Sequence, residues 1–402
     1  MELVGRVSIT SLIYIFFVMQ QKLRIAIVCD SIDTVLWWSV MSAQRFAVWL
    51  KERGHDIIRL TSKFRDEAKK QDFPCDAIYE FASLFPLGPQ KTRFAYMSVA
   101  TLCKIFKKEK IDIIYNIHPS IIGRQSLRAA KRLALPIVSH SHVWPELILP
   151  WAPRFVQKII KKLIANIYSK CDGLISPTGF TQNIFDECKF TNRQIIISNG
   201  VDTERFHPLP KKPADSTFNI LYVGRLDPEK NLYFLLEALH LLQQQKKITP
   251  NMRCILVWSG SEEQKLKKLV QKYNLSHVVE FTGKLTWDVP RLIQLYQTAS
   301  VFVLPSLYEL ESMVTLEAMA CWCPLLIANS PTSAAKDFVH NNGYVFDPNE
   351  PQDLADKIMK LVPNPDLCEI MRKVSREEVQ KYSFTTSVEK LELFLSSFVH
   401  HR

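Results

Sequence analysis

The chain has 402 residues, 47% hydrophobic and 23% charged, which suits two globular cores and excludes a disordered or fibrous chain. Its net charge of +11 points to an acidic partner: a phosphorylated ligand, an anionic membrane or nucleic acid. Nine scattered cysteines, with only Cys321 and Cys323 close together, fit neither a disulfide scaffold nor a metal knuckle and read as a reduced cytosolic protein.

Residues 1–21 form an N-terminal extension. Val7–Met19 is mostly apolar but shorter than the roughly 20 residues of a membrane helix, and no small-residue cleavage site follows it. It reads either as a membrane-contacting segment or, preferably, as an over-extended start with Met19 as initiator. From Leu23 onward, strand and helix patterns alternate. Strands are predicted at Leu23–Cys29, Asp56–Thr61, Asp112–Asn116, Ile137–His140, Gly173–Ser176 and Ile195–Ser198. Helices are predicted at Arg45–Arg53, Gly123–Leu133, Arg154–Lys170 and Thr178–Asp186. Asn199–Pro210 and the polar Lys211–Ser216 read as a linker. The alternation then restarts. Strands are predicted at Asn219–Val223, Cys254–Trp258, Val278–Phe281, Val301–Leu304 and Leu325–Ala328, and helices at Asn231–Gln244, Glu262–Tyr273, Met313–Cys321 and Gln352–Leu361. Thr386–Val399 is a last amphipathic helix.

This order predicts α/β domains with parallel sheets and helices on both faces. The first covers 22–205 and the second 206–383, with 384–402 a terminal helix able to return to the first. A ligand cleft is expected between the strand C-terminal ends of the two domains.

Two phrases carry chemistry. In Ser306-Leu-Tyr-Glu-Leu-Glu-Ser-Met-Val-Thr-Leu-Glu317, Glu309 and Glu317 stand on either side of a helix start, directly after a strand. The backbone amides of Leu310, Glu311, Ser312 and Met313 suit phosphates, because a helix N-terminus presents unpaired N–H groups and a positive dipole end. The carboxylates suit sugar and ribose hydroxyls. In Gly224-Arg-Leu-Asp-Pro-Glu-Lys230, Arg225 and Lys230 can neutralise a leaving diphosphate as a metal does elsewhere. Each phrase has a blander reading. The two cations can be solvated turn charges, Glu317 can be an exposed helix charge, and Glu311 reads as one. His142, just past a predicted strand, can be merely structural, with His140 and His118 weaker cleft candidates still.

Together with Asn199-Gly-Val-Asp-Thr-Glu-Arg-Phe-His-Pro208 and Tyr308–Ala320, the Tyr222–Asn231 phrase resembles the retaining glycosyltransferases of family four. That family has the GT-B architecture: two facing Rossmann-like doubly wound domains with an inter-domain cleft. The resemblance runs from Leu23 to the C-terminus. It implies a UDP- or GDP-sugar donor, with Arg225 and Lys230 at the leaving diphosphate. Glu309 then holds the donor sugar, Glu317 the ribose, and His142 lies near the reacting centre. It further implies no metal, no cofactor, and retention by a front-face route.

The acceptor is read from Arg154–Lys170. Phe155, Val156, Ile159, Ile160, Leu163, Ile164 and Ile167 form one helical stripe bordered by Arg154, Lys158, Lys161 and Lys162, without an acidic residue. Such a helix can lie on an anionic membrane, or it can be an ordinary helix docked on the sheet. Lys104, Lys107, Lys108 and Lys110 add a second basic cluster. The Glu309–Glu317 phrase lacks the usual Gly-Phe-Gly and, like His142-Val-Trp-Pro-Glu146, is similar to bacterial diacylglycerol glucosyltransferases. A membrane lipid acceptor and a peripheral position on the inner face of the plasma membrane are therefore expected. A soluble or polysaccharide acceptor and a non-catalytic sugar-nucleotide binder are the alternatives. No aromatic-interleaved basic module supports nucleic acid.

Glycine is scarce: 11 residues, where about 28 would be usual at about 7%. Trp38, Trp258 and Trp322 stand where the family carries glycine. One reading is that UGA codons meaning glycine have been written as tryptophan. If the tryptophans are real, an impaired donor site and a binding role are expected.

Overall fold

The computed structural model describes residues 22–30, 38–63, 74–82, 95–142, 153–187, 190–209, 217–285 and 289–399. The Val7–Met19 segment, the linker residues 210–216 and the stretch 143–146 lie outside these. The chain forms two compact units. One is Met1–Asn199 with Thr386–Arg402, and the other is Gly200–Thr385.

The first unit holds strands β1 (Arg24–Val28), β2 (Asp56–Ser62), β3 (Ala77–Phe81), β4 (Ile113–Asn116), β5 (Ile137–His140), β6 (Gly173–Ser176) and β7 (Arg193–Ile196). They pair in the order β3-β2-β1-β4-β5-β6-β7. The second holds β8 (Phe218–Val223), β9 (Met252–Val257), β10 (Val279–Gly283), β11 (Val301–Leu304), β12 (Leu325–Ala328) and β13 (Gly343–Phe346), ordered β10-β9-β8-β11-β12-β13. Every pairing in both sheets is parallel. Helices cross between strands, so the inner strands are covered on both faces and are mostly apolar, as in Val301–Leu304 and Leu325–Ala328. Both orders reverse direction once, at β1/β4 and at β8/β11. Ligands bind such sheets at these switch points, outside the strand C-terminal ends.

Sequence and structure differ most at the edges. Edge strands β3 and β13 are absent from the sequence prediction, and β7 starts two residues before its predicted position. Exposed or half-buried residues interrupt β3 and β13 and make up all of β7, so the apolar run that betrays an inner strand is missing. The helices Val99–Lys108, Val289–Thr298 and Pro365–Val379 also went unpredicted. Trp38, expected in a loop, is instead the first residue of the helix Trp38–Glu52.

The terminal helix Phe384–Ser396 supplies a buried charge to the first unit. Glu392, 2% exposed, accepts from Arg53 Nε at 2.5 Å and faces His55 Nε2 at 2.9 Å. Phe394 and Phe398 close over Gly173, where an added Cβ would meet Phe398 at 2.6 Å. Removing a buried partner leaves the remaining charge uncompensated, so Glu392→Ala should lower stability by about 3 kcal/mol. Urea denaturation followed on the first unit's transition checks this.

Candidate functional site

Strand β8 ends at Val223, and the chain turns through Gly224 at φ +152°, where a Cβ would lie 2.7 Å from the Tyr222 hydroxyl. Only glycine suits that turn. Burial, with Glu309 and Glu229 nearby, pushes the Tyr222 hydroxyl well above its usual pKa. It therefore stays protonated and donates to the Arg225 carbonyl at 2.8 Å. The Arg225 guanidinium pairs with Asp227 and with Glu229 Oε1, the latter at 2.7 Å. Asp227 Oδ1 is tied in turn by the Ser261 N–H and hydroxyl, both at 2.9 Å. This brings the Ser261 loop close, and a Cβ on neighbouring Gly260 would stand 2.4 Å from the Leu226 backbone. Lys230 ends the short turn Pro228–Lys230 and bonds Glu309 Oε1 at 2.7 Å. Both side chains are largely buried, 14% and 12% exposed, so the pair is only weakly screened by water.

Glu309 arrives from β11 on a clamped loop. The Leu307 N–H donates to the Glu229 carbonyl at 2.9 Å, and the Glu309 carbonyl accepts from the Ala334 N–H at 2.8 Å. Ser330 and Thr332 hydroxyls both donate to the Leu307 carbonyl at 2.7 Å. The helix Met313–Ala320 begins directly after this loop. The Ser312 carbonyl takes the N–H groups of Thr315 and Leu316, while its hydroxyl accepts from the Thr315 hydroxyl instead of capping the helix. Among the described residues, the Met313 and Val314 N–H groups therefore have no partner, as a helix start leaves them.

Lys230, Glu309 and Arg225 with its two carboxylates thus gather at the β8/β11 switch point. Leu310, Glu311 and Ser312 precede the helix, so Glu311 is not a helix charge, and it is half-buried. Glu317 is buried at 6% exposure and not an exposed helix charge either. Its Oε2 accepts from the Tyr296 hydroxyl at 2.9 Å, a fully buried group whose pKa is pushed far up by burial and by Glu317 itself. Asp227, Glu229, Ser261 and Tyr296 were missed in the sequence. The two acids were visible inside the Gly224–Lys230 phrase, at turn spacing from Arg225. Tyr296 carried no signal, because its helix was not predicted.

His142 belongs to the first unit, past β5. It stacks on His140 with ring centroids 4.0 Å apart and meets His118 edge-on at 6.4 Å. Loss of water lowers all three, His118 (half-buried) to about 4 and His140 (buried) to about 3, while desolvation and then the two neighbouring histidines hold half-buried His142 well below its usual value. The Tyr115 hydroxyl lies 2.7 Å from His140 Nδ1. Burial raises its pKa far up, so it keeps its proton, and which of the two groups donates follows from the His140 tautomer. Cys29 Sγ lies 3.6 Å from His118 Nδ1 at the β1/β4 switch point. Beside it Asp30, 3% exposed, accepts the Ala95 N–H at 2.7 Å and is raised by burial to about 6. Among the described residues, no three His, Cys, Asp or Glu side chains group to hold a metal.

Two family models meet on this chain. "Glycosyltransferase Family 4" matches residues 40–205 and "Glycosyl transferases group 1" matches 205–378, so together they cover most of it. The chain belongs to the glycosyltransferases of this two-domain type, and it is a hexosyltransferase by family. It is 24% identical to the alpha-monoglucosyldiacylglycerol synthase of Acholeplasma laidlawii, over 93% of this chain and 97% of that protein. It is 26% identical to a sulfoquinovosyl transferase of Arabidopsis thaliana, over 87% and 68%. Solved glycosyltransferases share the fold. One from Rickettsia africae superposes with a TM-score of 0.75 at 20% identity, covering 95% of this chain and all of that one. The Anabaena HepE protein, solved with UDP-glucose, gives 0.70 at 19% identity, covering 93% and 100%. Both units are parallel α/β sheets of the GT-B kind.

The raised Asp30 pKa fixes a sign. Its folded value of about 6 lies above the ordinary 3.8, so the native carboxyl holds its proton longer and costs stability as pH rises from about 4 through 6. Asp30→Asn removes that cost. The variant should gain on the parent by roughly 3 kcal/mol between pH 4 and pH 7, read from paired denaturation curves.

Proposed function

We propose that the protein moves a hexose from a UDP-sugar, with retention, to a membrane lipid of the diacylglycerol class. The observation that carries this reading is the Lys230–Glu309 pair, set beside a helix N-terminus with free N–H groups. A diphosphate entering there meets Lys230, Arg225 and the Met313 and Val314 amides. Positive groups gather where charge develops as the sugar–phosphate bond breaks, so the leaving group is stabilised without a metal. Glu309, released from Lys230, accepts hydrogen bonds from the sugar. Glu317, oriented by the Tyr296 hydroxyl, accepts from the ribose. No side chain is assigned as a covalent nucleophile. The acceptor hydroxyl attacks the face the diphosphate leaves, and a phosphate oxygen takes its proton. His142, neutral because its pKa is held down, can donate to a sugar hydroxyl or accept from one, but brings no charge.

Support for the donor comes from the HepE structure with UDP-glucose, and for the acceptor from the glucolipid synthase that aligns along nearly the whole chain. A sugar-nucleotide binder without turnover is the second reading. It is favoured by Trp258, which holds a glycine-like backbone beside the Ser261 loop.

Radiolabelled UDP-glucose with diacylglycerol in mixed micelles tests transfer, and chirality of the product tests retention. Lys230→Ala should lower kcat by about 100- to 1,000-fold, as losing one charge-stabilising donor does elsewhere. UDP binding by calorimetry should weaken in the same variant. A variant with full turnover, or a parent that binds UDP-glucose and never transfers it, would reject the reading.

A further inference from the structure

The helix Arg154–Tyr168 carries more apolar surface than its own unit covers. Ile164 and Tyr168 are buried, and Tyr168 packs edge-on against Phe185 with centroids 5.3 Å apart. One row around the helix, Phe155, Ile159 and Leu163 are 66%, 55% and 56% exposed. The single stripe read from the sequence is therefore split: one half docks and the other half faces outward. Among the described residues, the remaining large exposed apolar side chains are Ile78, Tyr96, Ile196, Val345 and Ile370, scattered over other elements as is normal for a surface. Phe155, Ile159 and Leu163 instead form a continuous ridge at i, i+4 spacing. The adjacent row, Arg154, Lys158 and Lys162, is exposed and cationic along its whole length, and the helix contains no acid.

We infer that this face lies on an anionic bilayer, with the helix axis along the surface. The three apolar groups enter the acyl boundary, while the long cationic side chains run back to the phosphates. A protein partner fits less well, because lysine is depleted at protein interfaces while large apolar groups flanked by lysine are the mark of a lipid interface. The net charge of +11 adds to the attraction. The inference shares a membrane setting with the proposed lipid acceptor but needs no transfer chemistry.

Sedimentation with vesicles tests it, using phosphatidylglycerol–phosphatidylcholine mixtures against phosphatidylcholine alone, at low and high salt. The parent should bind the anionic vesicles and release as salt rises. The triple variant Phe155→Ser, Ile159→Ser, Leu163→Ser should bind about tenfold more weakly or worse. Lys158→Gln with Lys162→Gln should lose the preference for anionic lipid. UDP calorimetry on each variant reports the donor site separately, so a failed docking surface and a failed donor reading give different results. Equal binding by parent and triple variant, or a parent left in the supernatant, overturns the inference. So does a dimer of the parent that the triple variant abolishes, which would assign the ridge to a second copy.

A second inference rests on backbone angles. Lys110, Ala134, Asn231, Lys246 and Asn274 have φ between 49° and 55°, inside the narrow left-handed well that L residues tolerate. Trp322, at 66°, sits just past the end of Met313–Ala320; its N–H reaches the Met319 carbonyl and the Cys323 N–H reaches that of Ala318. That is the double-bonded helix ending that usually takes glycine. Trp258 is far outside the well at 114°, comparable to Gly54 at 96°. Its N–H is fixed to the Gly283 carbonyl at 3.0 Å, so the ladder sets the angle whatever the side chain. We propose that positions 258 and 322 are glycine in the cell, encoded by UGA triplets read as glycine. UGA at both codons, with glycine in the peptides of protein purified from its native source, is the expected result. UGG at position 258, or tryptophan in the native peptide, overturns it. Trp258→Gly should also melt higher than the tryptophan form, and an equal or lower melting temperature counts against the strain on which the argument stands.

Discussion

Lys230 and Glu309 face each other because two loops are fastened together beneath them. The Glu229 carbonyl accepts from the Leu307 N–H, which ties the turn after β8 to the loop after β11. Tyr222 holds the first turn from below, and Ser330 and Thr332 hold the second loop from the side. The cation and the carboxylate are thereby placed within hydrogen-bond reach before any ligand arrives. Preorganisation of this kind matters more than the ion pair's own contribution to stability, because desolvating two largely buried charges offsets much of their attraction.

The sheet orders make that meeting point a consequence of topology. In each unit the chain starts in the middle, winds one way, then returns and winds the other. The reversal leaves an uncovered notch at the strand ends, and the second unit fills its notch with charge. The first unit fills its own with neutral imidazoles, a buried carboxyl and a thiol. Neutral imidazoles can give and take hydrogen bonds without a desolvated charge to compensate, which suits hydroxyl-rich partners.

Much of this was legible from residue order alone. The inner strand Val301–Leu304 was found to the residue, because burial on both faces writes an unbroken apolar run into the sequence. The edge strand Ala77–Phe81 left no such trace, since one side of it faces water and its pattern dissolves into half-buried residues. Lys230 and Glu309 were legible as members of phrases, but their contact spans 79 positions and no periodicity encodes it. Glu317 read as a ribose-holding carboxylate with a solvent-facing charge as the alternative, because helix spacing cannot say which side is covered. It proved to lie in an element buried all the way round, where Tyr296 satisfies it.

The Arg225 guanidinium is already gripped by Asp227 and Glu229 before any guest arrives. A visiting anion must therefore displace two resident acids before it can use that guanidinium. On the proposed reading, a molecule with two linked phosphates does so by engaging lysine, arginine and helix amides together. The acidic tether then acts as a threshold that favours a guest with several linked anionic groups over one with a single such group.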